Sequence, residues 1–131
     1  MGSPAHDLTV ETPLALGAAG RVSADANQTG VDVTGFEGWG RVDVSVTPVS
    51  GTTPTYDGKL QESDTLGGTY TDVSGAAIVQ VTTGATVLQS LKVNWSAIKS
   101  FVRWADDVGG TSPVYDRCVL AQGAQKSYSP S

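Results

Sequence analysis

A chain of 131 residues is long enough for one domain with its own core and needs neither disulfides nor metal to hold it together. Sixteen glycines among many Thr, Ser and Val, against few Leu, Lys and Glu, favour strands and turns over helices. A formal net charge of −5, with eight Lys and Arg spread along the chain, argues against non-specific nucleic-acid binding, which needs clustered cations to displace counterions from phosphate.

In chain order, the first seven residues are polar and offer little to bury. From Leu8 to Leu16, Leu8, Val10 and Thr12 face one way and Thr9, Glu11 and Pro13 the other, but Pro13 cannot donate to a ladder. The stretch reads as an edge strand or an extended segment, one that either lies on a neighbouring subunit or simply begins the fold. Ala18 to Thr29 is small and polar, with a turn signal at Asn27 to Gly30, and Val31 to Val33 makes a brief strand. After a turn at Gly35 to Gly38, Trp39 to Val49 alternates: Val42, Val44 and Val46 on a dry face, Arg41, Asp43, Ser45 and Thr47 on a wet one. Pro48 and the Ser50 to Pro54 cluster are expected to end that strand.

Tyr56 to Ser63 and Thr69 to Val73 flank a Gly67-Gly68 connection and predict an antiparallel hairpin with a long loop. Ala76 to Thr82 and Val87 to Val93 predict two further strands, the second with Val87, Gln89, Leu91 and Val93 on one face and Leu88, Ser90 and Lys92 on the other. Asn94 is suited to cap one helical turn on which Trp95 and Ile98 pack down together. Phe101 to Ala105 is a strand with Val102 and Trp104 on its apolar face, Asp106 to Pro113 a connection, and Val114 to Ala121 the last strand. The fold expected is all-β, an antiparallel β-sandwich or jelly-roll-like domain of about eight to ten short strands with one short helical turn. Its expected division is an arm or edge segment over 1–16, the sandwich over 17–123 and a polar tail over 124–131.

Reactive chemistry has few candidates. Cys118 is the only cysteine, so no internal disulfide is possible, and its strand-like surroundings read as a small buried apolar side chain. His6, the only histidine, lies in the polar N-terminal stretch, which leaves a serine or cysteine nucleophile without a base. Asp106 and Asp107 point opposite ways on extended backbone and read as a solvated turn beside Gly109-Gly110, and no segment has calcium-loop spacing. Neither glycine pair carries the lysine and helix of a phosphate loop. The expectation is a non-enzyme without cofactor or metal. No apolar run approaches the ~20 residues of a membrane span, and no basic start with an apolar segment marks secretion, so a soluble product of the cytoplasm is expected. Trp39 and Trp95, with Tyr115, are candidates for a sugar-stacking platform, against the alternative that all three serve packing.

Four motifs, in the same order, carry a family likeness. They are Gly30-Val31-Asp32-Val33-Thr34-Gly35-Phe36-Glu37; Leu60-Gln61-Glu62-Ser63-Asp64 followed by Tyr70-Thr71-Asp72-Val73-Ser74-Gly75-Ala76; Ile98-Lys99-Ser100-Phe101-Val102-Arg103; and Gly109-Gly110-Thr111-Ser112-Pro113. Together they resemble a pattern of small virion proteins of tailed bacteriophages, and the likeness spans most of the chain. Ser100 departs from it, standing where that family more often has a basic residue. The resemblance implies a β-sandwich attached to a phage particle, often as a capsid decoration or cement subunit. The expected place is then the capsid surface of a virion, the expected partner the major capsid protein lattice, and neither nucleic acid nor membrane is contacted.

A homo-oligomer is expected, with a trimer suited to a local threefold position on a shell. Expected contact residues are Leu8, Val10 and Leu14 of the arm with Trp39, Arg41 and Arg103, as exposed apolar or cationic groups on an acidic subunit. The alternatives are a tail or baseplate adhesin that binds carbohydrate, and a neck or head-completion component.

Overall fold

The computed structural model describes residues 14–125. Among them the chain forms seven strands, β1 (Leu14–Val22), β2 (Ala26–Asn27), β3 (Val31–Asp32), β4 (Phe36–Ser63), β5 (Thr71–Ala77), β6 (Val87–Asn94) and β7 (Phe101–Gln125), with a 3-10 turn at Trp95–Ala97. Every pairing is antiparallel. The all-β sandwich-like architecture is therefore present.

Its construction differs from a set of short strands. β4 and β7 pair along nearly their whole length, from Phe36 opposite Gln125 to Ser63 opposite Phe101. At ~3.3 Å per residue the 28 residues of β4 would span about 90 Å if straight. Instead the ribbon bends where its register slips, between Pro48 and Thr55 on β4 and opposite Gly109 to Val114 on β7. Pro48, the Ser50 to Pro54 cluster and Gly109 to Pro113 thus form a corner that strands pass through, where the sequence predicted breaks. Bulges absorb the lost ladder bonds there, and Gly51 and Gly110 adopt φ of 128° and 101° to turn the backbone. Counted as straight segments, with β4 and β7 halved, the strands number nine.

The bend folds the ribbon onto itself. Arg117 and Asp106 lie eleven residues apart on β7, a separation of ~36 Å on a straight strand, yet the Arg117 Nε sits 3.0 Å from Asp106 Oδ1. One layer holds β1, the second half of β7, the first half of β4, and β6. The other holds β2 and β3, the first half of β7, the second half of β4, and β5.

Between the layers lies one apolar cluster, as the period-two pattern predicts: Val42, Val44, Val46, Val93 and Val119 from the first layer, Tyr56, Leu60, Val102 and Trp104 from the second. Leu14 and Leu16, placed by sequence in the arm, belong to β1, where Leu14 pairs with Ala121 and Leu16 is buried. The strand predicted over Ala76 to Thr82 ends at Ala77; beyond it Val81 makes a single bridge to Tyr56.

The end of the sandwich away from the corner is closed by the 3-10 turn. Asn94 caps it as predicted, its Oδ1 accepting from the Ser96 amide at 3.2 Å. Trp95 is buried against Phe36, ring centroids 5.2 Å apart, and donates its indole N–H to the Gln122 carbonyl at 3.0 Å. Ile98 packs against the same cluster.

Candidate interaction surface

Strand parity decides which side chains reach solvent. In β7, Tyr115, Arg117, Val119 and Ala121 are buried, while Asp116, Cys118 and Leu120 look outward. This reverses the expectation for Cys118, which is half-exposed on an outer face. Its neighbour Arg117 takes the inward place because a partner waits there. Asp106, also expected in solvent, is buried and accepts from Arg117 Nε at 3.0 Å and Nη2 at 3.1 Å, from Gln28 Nε2 at 2.8 Å and from the Tyr56 hydroxyl. Tyr56 in turn accepts from the Trp104 indole at 2.9 Å.

Burial acts to lower the Arg117 pKa, and the hydrogen bonds and charge of Asp106 outweigh it, so the guanidinium is held protonated more firmly than usual. Burial, with the hydrogen bond and charge of Asp106, likewise pushes the Tyr56 phenol far above its ordinary value. This network joins the layers, with Asp106 and Arg117 each reaching the floor of an open surface hollow, of about 350 and 290 Å³. Its chemistry is structural.

The surfaces that remain are the two outer faces. On the first layer, Trp39, Arg41, Asp43 and Ser45 project between the buried valines of β4. Ser45 stands between Leu88 and Cys118, Asp43 between Ser90 and Leu120, and Arg41 between Lys92 and Gln122. Asp43 organises the middle, accepting from Arg41 Nε at 3.0 Å, Gln122 Nε2 at 2.7 Å and the Ser90 hydroxyl. Short side chains at Ser45 and Ser90 leave a groove of about 470 Å³ walled by Leu88, Cys118 and Leu120. Trp39 is 68% exposed and Leu88 76%, so large apolar groups stand uncovered on one face.

The opposite face is polar and largely matched. Lys59 Nζ meets Asp72 at 3.1 Å and Gln61 Nε2 donates to the same carboxylate at 2.9 Å; these hydrogen bonds, Gln61 first and then Lys59, hold Asp72 below the usual carboxylate range. Arg103 donates to Gln61 at 2.8 Å and lies over the Tyr70 ring, 4.4 Å from its centroid. At the corner end, Asp57 stands directly opposite Asp107. Burial, then the charge and hydrogen bond of Asp25 and the charge of Asp57, raise the Asp107 pKa.

The expected contact residues therefore separate. Trp39 and Arg41 share the uncovered face. Arg103 lies on the other, half-buried and held by its own chain. Leu14 is half-buried in β1, and Leu8, Val10 and His6 lie outside the described residues. Of the aromatic platform, Trp95 and Tyr115 are 3% and 0% exposed, leaving Trp39 alone in solvent. Sequence parity had already grouped Leu88, Ser90 and Lys92 on one side of β6; that this side is the uncovered one follows only from the register with β4. Comparison with family models, with curated proteins and with solved structures finds no significant match.

Proposed function

We propose that this chain is a bacteriophage virion protein that binds the outside of the assembled head and reinforces joints between major-capsid subunits. The motif resemblance points to the head, and the uncovered groove walled by Leu88, Cys118 and Leu120 is the observation that carries a contact role. The opposite face pairs Lys59 and Gln61 with Asp72, and Arg103 with Gln61 and the Tyr70 ring. β1 begins at Leu14, opposite Ala121, and its next residue, Ala15, stands opposite Leu120. Copies act as an oligomer, a trimer fitting a threefold position, with the effective concentration of each attachment raised by its neighbours. Binding the assembled lattice in preference to free subunits stabilises the shell by mass action.

Imaging and heating virions in which the gene is deleted tests this. Heads that assemble but rupture at lower temperature or osmotic shock, and regain strength when the purified chain is added, are the expected outcome. Heads of undiminished strength with failed host attachment would instead favour an adhesin, the second reading, for which exposed Trp39 beside Asp43, Arg41 and Gln122 offers an aromatic face with polar neighbours.

A further inference from the structure

The two outer faces each carry an electrostatic conflict, and the conflicts are of opposite sign. On the first layer Arg41 and Lys92 are directly opposite across β4 and β6; on the second, Asp57 and Asp107 are directly opposite across β4 and β7. Like charges so placed destabilise an isolated sheet. Arg41 is steadied by Asp43 and Gln122, whereas Lys92 is exposed and, among the described residues, makes no hydrogen bond or ion pair.

Each pair has a steric companion. Trp39 projects from the same face as Arg41, two residues away and so ~7 Å along the strand, and stands 68% exposed. Beside Asp107 lies a hollow of about 350 Å³ whose lining includes Asp25, Lys59, Gln61, Ala105, Asp106 and Asp107. One face thus presents a large aromatic next to two cations, and the other a recess lined by three carboxylates, with Lys59 at its wall already paired to Asp72 and Asp57 standing opposite Asp107.

We propose that copies of this chain dock on one another heterologously, Trp39 of one copy seating in the hollow beside Asp107 of the next while Arg41 and Lys92 face Asp57 and Asp107. An aromatic anchor filling a pocket, ringed by complementary charge, is the arrangement that concentrates binding energy in few residues. The two patches look out from opposite layers, so a single partner cannot engage both; the contact propagates through three or more copies, into a ring where its rotation closes and a filament where it does not. The Leu88 to Leu120 groove and the start of β1 stay open for a different partner. The inference does not depend on the capsid reading, because it concerns the chain by itself.

Sedimentation velocity and light scattering on the purified full chain test it. The expected mass at low salt is at least three times the 13.5 kDa of one chain, falling towards one chain at about 0.5 M salt, where the Debye length is only a few ångströms. Lys92→Glu alone and Asp107→Lys alone each give a folded monomer by circular dichroism, and the double reversal restores the assembly. Trp39→Ala weakens association by about 30-fold or more. Should a reversal fail to fold, the milder Lys92→Ser and Asp107→Asn replace it, each expected to lower the assembled fraction. A wild-type monomer or dimer at about 100 µM, a concentration that would reveal contacts of even modest affinity, overturns the proposal. So does an assembly indifferent to the single changes, or a double reversal that stays monomeric.

Discussion

Asp106 is where one residue has most influence on this protein. Its carboxylate accepts from Arg117, Gln28 and Tyr56 in the interior, and Arg117 belongs to the facing layer. Taking two charges out of water is costly, and the pair is tolerated because the lone pairs and donors are used. Truncating one partner strands the other: Asp106→Ala is expected to lose about 3–5 kcal/mol in urea unfolding, while Asp106→Leu combined with Arg117→Met loses much less. If the double variant is as unstable as the single, the charge pair is not the reason.

The tyrosines beside this network set the alkaline limit. Burial raises the pKa of both Tyr56 and Tyr115 above that of an unfolded chain. Above pH about 10 the unfolded state releases the Tyr56 proton and the folded state keeps it, so this contribution is whole below pH 10 and falls by up to about 1.4 kcal/mol per pH unit as pH rises, with Tyr115 acting in the same direction. Denaturation midpoints between pH 8 and 11 should show that decline, and Tyr56→Phe, though less stable at neutral pH, should show a shallower one.

Among the elements, the corner of β4 and β7 is the part most dependent on backbone freedom. Gly110 holds φ of 101°, and a Cβ there would stand 2.8 Å from Pro54 Cα and 2.6 Å from the Thr53 carbonyl oxygen. Gly110→Val is expected to cost about 1–3 kcal/mol through strain at that position. Gly67, in the β4–β5 connection, has open space around it and an ordinary φ, so Gly67→Ala should stay within about 0.5 kcal/mol of the parent. Equal effects in thermal unfolding would mean the corner is not the constrained site. Asn94 contributes on a smaller scale by capping the turn that lowers Trp95 onto Phe36.

For the whole molecule, the long ribbon makes the fold a problem of distant pairing. Phe36 must find Gln125 and Val31 must find Val102 before most of the core can close. Loop closure of that span comes before the contacts that reward it, so refolding followed by tryptophan fluorescence is expected in the millisecond-to-second range of non-local β proteins. A microsecond phase carrying most of the amplitude would contradict that. The same folding-over gives the molecule two unlike outer faces, one apolar with Trp39 and Lys92, one polar with Asp57 and Asp107.

Local pattern alone determined a good deal of this. Alternation put Val42, Val44 and Val46 inside, paired Val102 with Trp104 against the core, marked the β4–β5 hairpin by its glycines and identified Asn94 as a cap, because each of these depends on neighbours within a few residues. The tertiary structure decided the rest. Proline and glycine at the corner read locally as breaks, and only pairing with the opposite strand carries the ladder through them. In Val114 to Ala121 both parities hold apolar residues, so the chain could not say whether Arg117 or Cys118 turned inward until Asp106 was brought from the other layer to meet the guanidinium. Which outer face stays bare was equally beyond local reading, since Leu88, Cys118 and Leu120 become the two walls of one groove only when three distant strands are set in register.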